Sequence, residues 1–347
     1  MPSDGGKADL ARIADEAGVS IATVSRVLNG RSGVSERNRL KVESAIRDQG
    51  YVRRTRAVDS APLIELVVPY FHNAWAVELV RGIQRVARPN GMSVIISKTG
   101  DHHGPERSWI EGVVQRGVGA IVLVLEGLRE EERRRLRARN VPFALVNPGR
   151  SPGEDVPTVT SSAFLGGQQA ASHLVGLGHR RIGAITGPGD MLTSRLRIDG
   201  FRRELQTAGI PADDALVLPG RFDRASGLAQ GRKLLMMTER PTAIFAGGDS
   251  QALGVYAAAR GLGLRIPEDV SVVGFDDLEF TTLIGPALTT VRQPLADMTE
   301  EAARLALRQG EQRPWHRSQP HVELQTTLVV RSSTAPPPLV VRQEGRR

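Results

Sequence analysis

Apolar and polar positions follow two different rhythms along the chain. Between Asp9 and Gln49 the apolar residues are scattered at helical spacing, whereas from Leu63 they gather into short runs such as LIELVVP, MSVIIS, GAIVLVL and PFALVN. Helical spacing turns one stripe toward a core, and a short run apolar on both faces suits a strand covered on both sides. The first stretch predicts a small all-helical unit, the second an α/β body.

The helical unit carries its own start and stop signals. Asp9 is placed to cap a first helix running to Ala17, and Gly18 to end it; Ser20 is placed to cap a second helix from Ile21 to Leu28. Ser35 would cap a third reaching Gln49, with Gly50 at its C-terminal turn. In each case a short polar side chain accepts orphan N–H groups of the first turn, and glycine takes the left-handed conformation past the last. Leu10, Ile13, Ala14, Val19, Val24 and Val27 then converge on one core, which leaves Ile21, Ala22, Ser25 and Arg26 on the opposite side. This is the pattern of a helix-turn-helix, whose second helix is offered to the DNA major groove.

In the body, amphipathic stretches separate the apolar runs, and the series restarts with RRIGAITG, TAIFAGG and DVSVVGFDD. Strand–helix alternation builds parallel sheets through right-handed crossovers. Two series predict two lobes, each a Rossmann-like parallel sheet. Small molecules bind such sheets beyond the carboxyl ends of the strands, so a cleft between lobes collects residues from both.

With 347 residues, 40% hydrophobic and 24% charged, the chain can bury more than one core. The net charge of +8 is concentrated at the front: from Ser20 to Arg56 there are nine Lys or Arg against three Asp or Glu, and from Arg331 to Arg347 four against one. A basic N-terminal unit fits double-stranded DNA as partner. Cysteine is absent, which excludes disulfides and thiolate chemistry. Neither a membrane-spanning run nor a signal-peptide core is present, so the expected location is cytoplasmic, with no membrane partner. GxGxxG after the first strand, GxxxxGK[ST] and HExxH are missing too, so no cofactor, metal or catalytic residue is expected. His72, His102 and His103 read as solvated loop residues, and His179 as structural.

The segment LARIADEAGVSIATVSRVLNGRSGVSERNRLKVESAIRDQGY resembles the head of the LacI/GalR repressor family, whose signature V-S-x-x-T-V-S-R-V-L-N stands intact from Val19 to Asn29. The resemblance implies base-reading roles for Ile21 and Ala22. It implies base and phosphate contacts for Ser20, Thr23, Ser25 and Arg26, and phosphate contacts for Asn29, Ser35 and Arg37. Two apolar readers favour thymine methyl groups over bidentate hydrogen bonds. Between Tyr51 and Ile64 the family's Ala-Arg-x-Leu hinge helix is replaced by the shorter VRRTRAVDSAPL. Arg53, Arg54 and Arg56 can enter or flank a minor groove, with Val58 as the apolar wedge; a flexible basic tether is the even alternative.

The body resembles the sensor half of the same family through HLVGLGHRRIGAITGP, RLRIDGFRREL, IPEDVSVVGFDD and LTTVRQPL, a likeness shared with periplasmic sugar-binding proteins. It implies a helix-turn-helix head at 1–50, a hinge at 51–62, and a periplasmic-binding-protein-like body of two lobes. The N-terminal lobe would comprise 63–160 and 292–320, the C-terminal lobe 161–291 and 321–333, and a disordered tail 334–347, with crossings near Thr160, Val291 and Pro320. Arg197 as donor and Asp276 as acceptor would clamp a polyol, Trp75 and Phe222 would stack on it, and Asn147, Ser162 and Gln293 would complete the site. Ala163 and Gly248 stand where relatives often carry Asp or Asn. Ser162 and Asp249 are the neighbours able to compensate, although Asp249 is better read as the cap of SQALGVYAAARG.

The implied function is a sequence-specific DNA-binding transcriptional regulator, a repressor controlled by a small sugar-like effector and not an enzyme. It would bind a near-palindromic operator as a homodimer, with AWAVELVRGIQRVA in the dimer face. A solute-binding protein leaves the head without a use, and a doubly wound enzyme lacks its motifs. The tail APPPLVVRQEGRR has no heptad pattern to form a helical zipper.

Overall fold

The structure, a computed structural model, describes residues 5–28, 33–48, 61–69, 74–99, 107–149, 155–211, 213–311 and 318–338. In the head, α1 (Gly5–Ala17), α2 (Ile21–Leu28) and α3 (Glu36–Asp48) enclose Ile13, Ala14, Ala17, Val24, Val27, Val42 and Ala45, with Leu10 and Val19 packed against them. Gly18 ends α1 at φ +62°. Ser20 Oγ accepts from the Thr23 N–H at 3.2 Å, and Ser35 Oγ from the Asn38 N–H at 3.4 Å, so both serines cap as their positions predict. One boundary differs: α1 begins at Gly5, which puts Asp9 inside the helix instead of at its cap. Once a turn exists, each further residue adds a hydrogen bond, which offsets the ~1 kcal/mol that a glycine costs. Asn29, Gln49, Gly50, Arg53, Arg54, Arg56, Val58, His72, His102 and His103 lie outside the described residues.

The first lobe is built from β1 (Ala61–Val68), α4 (Ala74–Ala87), β2 (Ser93–Lys98), α5 (Arg107–Arg116), β3 (Val118–Leu123), α6 (Glu130–Ala138), β4 (Phe143–Val146) and β5 (Thr158–Ser161). The second begins with α7 (Ala163–Gly176), β6 (Ile182–Ile185), α8 (Leu192–Thr207), β7 (Val217–Leu218), α9 (Arg224–Leu235) and β8 (Ala243–Ala246), then α10 (Asp249–Gly261), β9 (Ser271–Asp276) and β10 (Thr289–Arg292). The chain returns to the first lobe with α11 (Leu295–Glu311) and β11 (His321–Leu324), and ends in the second with β12 (Thr327–Val329). Each lobe holds a six-stranded sheet, ordered β11-β5-β4-β3-β1-β2 and β12-β10-β9-β8-β6-β7, parallel except for β12.

Apolar residues fill both sides of each sheet. In the first lobe Ile64, Leu66 and Val68 meet Leu79, Ile83 and Val86 of α4 and Met298 and Ala302 of α11, while Val67, Ile121 and Phe143 pack on the other side with Val113 and Leu136. Each large side chain so buried contributes roughly 1.5–3 kcal/mol. Glu65 is the polar residue inside this strand, and it is paired: its carboxylate accepts from Ser97 Oγ (2.6 Å), Trp109 Nε1 (2.8 Å) and Arg116 (2.8 Å). In the second lobe α7 and α8 cover one side of the sheet and α9 and α10 the other. The α7 and α8 backbones touch. A Cβ on Gly167 would lie 1.9 Å from the Arg197 carbonyl oxygen, and one on Gly200 would lie 1.9 Å from that of Phe164. That close approach fixes the turn of α8 carrying Arg197.

The chain passes between the lobes after Ser161, after Arg292 and after Leu324. The third passage lies beyond Pro320, because 321–324 forms β11 and pairs in parallel with β5, from His321 opposite Thr158 to Leu324 opposite Ser161. These residues belong to the first lobe, not the second. Residues 334–338 also depart from a disordered tail, since they are packed onto the second lobe. The Ala335 carbonyl accepts from Ser271 Oγ at 3.0 Å, and His173 Nε2 meets Thr334 Oγ1 at 2.9 Å. No helix among the described residues is long and apolar enough to cross a membrane.

Candidate functional sites

On the head, the surface of α2 is polar and small except for one apolar side chain. Ile21 is 51% exposed, Ala22 and Arg26 are exposed, and Thr23 and Ser25 are half-buried. Val24 and Val27 point the other way, into the core, so helical periodicity alone presents Ile21, Ala22 and Arg26 together. Ser20 Oγ bonds Thr23 Oγ1 at 2.9 Å as well as capping the helix. Arg37 is exposed one residue inside α3.

The second site lies between the lobes. Pro69, Trp75, Val124, Leu125, Glu126, Asn147 and Gly149 line it from the first lobe; Met191, Leu192, Thr193, Arg197, Phe222, Ser250 and Asp276 line it from the second, and Gln293 from a crossover. The polar members follow the carboxyl ends of strands: Glu126 after β3, Asn147 after β4, Thr193 after β6, Ser250 after β8, Asp276 at the end of β9 and Gln293 after β10. The cleft therefore gathers Trp75, Asn147, Arg197, Phe222, Asp276 and Gln293, as the sequence predicts for a single site. Ser162 is the exception. It is buried at the first crossover, where its Oγ accepts from the Thr326 N–H at 2.9 Å and meets Thr326 Oγ1 at 3.2 Å. Its hydroxyl joins two crossovers instead of facing the cleft.

Arg197 forms the floor. Its guanidinium donates to the Gly247 carbonyl at 2.5 Å, to Gln293 Oε1 at 3.0 Å and to Asp276 Oδ1 at 3.5 Å, and it lies 3.7 Å from the Phe275 ring centroid and 5.1 Å from that of Phe222. Fixed on several sides, the cation is a rigid donor in a low-dielectric setting, where a hydrogen bond counts for most. Gln293 Oε1 also accepts from Ser161 Oγ at 3.0 Å, and Asn147 Oδ1 from the Ser161 N–H at 3.0 Å. Both amides thus spend their oxygens on the frame and keep their NH2 groups for other acceptors. Phe222 reaches the site at φ +59°, with its ring over Gly187, where a Cβ would lie 2.0 Å from Cζ. Burial pushes the Asp276 carboxyl up to about 6, against the pull of Arg197.

Asp249 does not cap α10, because Gly248 holds that position. The carboxylate is fully buried, accepting from the Leu278 N–H at 2.8 Å and from Thr290 Oγ1 at 2.6 Å, so it ties α10 to the loop after β9 and to β10. Burial, and then the charge of Asp276, raise its pKa well above the carboxylate range. His179 is fully buried, with Nδ1 2.8 Å from Thr242 Oγ1 and Nε2 2.9 Å from the Ala335 carbonyl oxygen. Sequence reasoning missed Glu126, Thr193 and Ser250: Glu126 directly follows an apolar run, the rule that had located Asn147, whereas Thr193 and Ser250 sit in the first turns of α8 and α10, some residues past their strands, and carry no such signal. No group of three or more His, Asp or Glu among the described residues can hold a metal.

A donor clamp, two aromatic rings and amide donors in a cleft between lobes suit reversible binding of a small polar molecule, and they offer no activated nucleophile or base pair for turnover. Comparison with known proteins agrees. Residues 9–54 match the family model of bacterial regulatory proteins, lacI family, and residues 171–334 that of the periplasmic binding protein-like domain. The ribose operon repressor of Escherichia coli (strain K12) is 34% identical over 300 residues, 85% of this chain and 89% of the repressor. A solved complex of the transcriptional regulator CelR with cellobiose superposes with a TM-score of 0.69 at 32% identity, covering 93% of this chain and 99% of that one. The lac repressor dimer bound to operator and the anti-inducer ONPF gives a TM-score of 0.69 at 27% identity, covering 93% and 98%. The chain belongs to the lacI family of bacterial regulatory proteins.

Proposed function

We propose that this protein is a cytoplasmic homodimeric transcriptional repressor, which binds a near-palindromic operator through α2 and releases or grips it in response to a small sugar-like effector in the interlobe cleft. The observation that carries the reading is that one chain holds both an outward-facing recognition helix and a closed-floored polar cleft. Neither a transport receptor nor an enzyme has a use for the pair. On the head, Ile21 and Ala22 would read bases, with Ser20, Thr23, Ser25, Arg26, Ser35 and Arg37 on bases and phosphates. In the cleft, Arg197 and the amides of Asn147 and Gln293 would donate to ligand oxygens, Asp276 would accept from hydroxyls, and Trp75 and Phe222 would flank the apolar face of a ring.

The cellobiose and ribose named with the similar proteins support a carbohydrate, and the operator-bound lac repressor dimer supports a two-headed complex. An effector that prefers one lobe arrangement shifts operator affinity by its differential affinity for the two. Selecting a palindromic site from random duplex DNA, then repeating the gel shift with sugars found by thermal-shift screening, tests both halves. A chain that selects no sequence is not a regulator of this kind.

A further inference from the structure

Beyond the cleft contacts, β9 ends in two consecutive aspartates with unusual backbone, Asp276 at φ +114° and Asp277 at φ +59°. Side chains disfavour this region, and it persists only where surroundings over-determine it. Asp276 faces the cleft, whereas Asp277 turns away and is nearly buried, its side chain 8% exposed. Its Oδ2 accepts from Arg292 Nε at 2.7 Å, and its Oδ1 from Arg331 at 2.5 Å and from Thr281 Oγ1 at 3.4 Å.

The two arginines occupy significant places. Arg292 is the last residue of β10, paired in register with Asp276 on one side and with Thr327 of β12 on the other, and the residue after it is Gln293 of the cleft and second crossover. Thr327 opens β12 directly after the third crossover, and Arg331, just past that strand, also donates to the Leu288 carbonyl at 2.8 Å. One rung of the second sheet therefore joins the effector-facing carboxylate to the roots of two of the three crossovers, and Asp277 clamps that rung. Asp277 and Arg331, 8% and 16% exposed, form a pair whose breaking would leave charge unpaired at low dielectric, while Arg292, 56% exposed, closes the clasp from the solvent side.

We propose that Asp277, with Arg292 and Arg331, is a positioning element that sets the angle between the lobes and transmits events at Asp276 to the crossovers. That the angle matters for regulation rests on the repressor reading above; that the clasp sets it does not. The chain contains no cysteine, so one cysteine introduced on the outer surface of each lobe of the full-length protein takes a spin label cleanly. Pulsed electron paramagnetic resonance, without ligand or DNA, then reads the interlobe distance distribution.

The parent and Arg292→Lys, which retains a cation, should give one dominant distance. Asp277→Asn and Arg292→Gln should at least double the width of the distribution or shift its maximum, while the melting temperature falls by only a few degrees. Arg181→Gln serves as control, since Arg181 pairs with Asp213 at 3.1 Å on the second lobe, remote from the crossovers. An unchanged distribution in both Asp277→Asn and Arg292→Gln overturns the proposal, as does equal broadening in Arg181→Gln, which would mark a general loss of rigidity. Because neither operator nor effector enters the measurement, its failure leaves the repressor reading standing, and failure to select DNA leaves this result standing.

Discussion

Arg197 of α8 and Asp276 at the end of β9 meet at 3.5 Å on the floor of the interlobe cleft, with side chains 7% and 11% exposed. Arg197 is held by the Gly247 carbonyl and Gln293 as well, so removing Asp276 leaves the guanidinium in place and short of a partner, and removing Arg197 leaves the Asp276 carboxylate, fixed by its strand, without the cation it faces. Such an orphaned buried group costs ~1–3 kcal/mol, more when charged. Arg197→Ala and Asp276→Ala should each weaken binding of a sugar identified by screening about ten- to hundredfold in calorimetric titration. Operator affinity without sugar should change by less than about threefold, because the head folds on its own core. Full sugar affinity in both variants would put the site elsewhere.

The same carboxyl gives binding a pH dependence. Asp276 titrates near 6 in the free protein, its burial opposing the charge. Sugar hydroxyls donating to it need the carboxylate, so affinity should be level above pH 7 and decline as pH falls through about 6, approaching tenfold per unit below it. Asp276→Asn should remove the slope. On stability the sign is reversed: the raised folded pKa favours the fold most below the ordinary value of 3.8, and that contribution is lost as pH rises through about 6.

Buried His179 and half-buried His173 add an opposite trend. Burial lowers both pKa values below the ordinary 6.5, so the unfolded chain takes up protons before the folded one does. Their contribution is full above pH 6.5 and declines as pH falls below it. Because Asp276 acts with the opposite sign in the same window, the histidine part is read as a difference: the margin by which the parent melts above His179→Gln should shrink between pH 7 and 5.5. A parallel curve for the variant would exclude His179 as a source.

Much of this arrangement was legible in the chain. Val24 and Val27 against Ile21, Ala22 and Arg26 fixes the outward face of α2 by period alone, and the apolar runs ending in Asn147 and Asp276 mark the cleft side of each sheet. Other features carried no local signal. β11 reads HVEL, a half-exposed edge strand whose lobe is decided by pairing with β5. Ser162 and Asp249 look like ligands or caps in one dimension, yet their partners, Thr326 and Thr290, are brought to them by the crossovers and the sheet. Glu65 interrupts a buried run because Arg116 and Trp109 of α5 and Ser97 of β2 converge on it from two other elements.

Arg26→Ala separates the two ends of the molecule. Loss of an arginine contact to base or phosphate costs ~1–3 kcal/mol, so operator affinity should fall about five- to hundredfold in a gel shift, while sugar affinity of the body is unchanged. Wild-type operator affinity in this variant would remove α2 from the interface.

The most direct test of the account is one titration: fluorescence anisotropy of the selected operator with the full-length protein, with and without a saturating sugar, in the parent and in Asp276→Ala. Coupling of this kind changes affinity about 5- to 150-fold. With the sugar at about ten times the parent's Kd, the parent should shift by at least about fivefold, in either direction, and Asp276→Ala by clearly less at the same concentration. A sugar that binds the parent but leaves its operator affinity unchanged would contradict it.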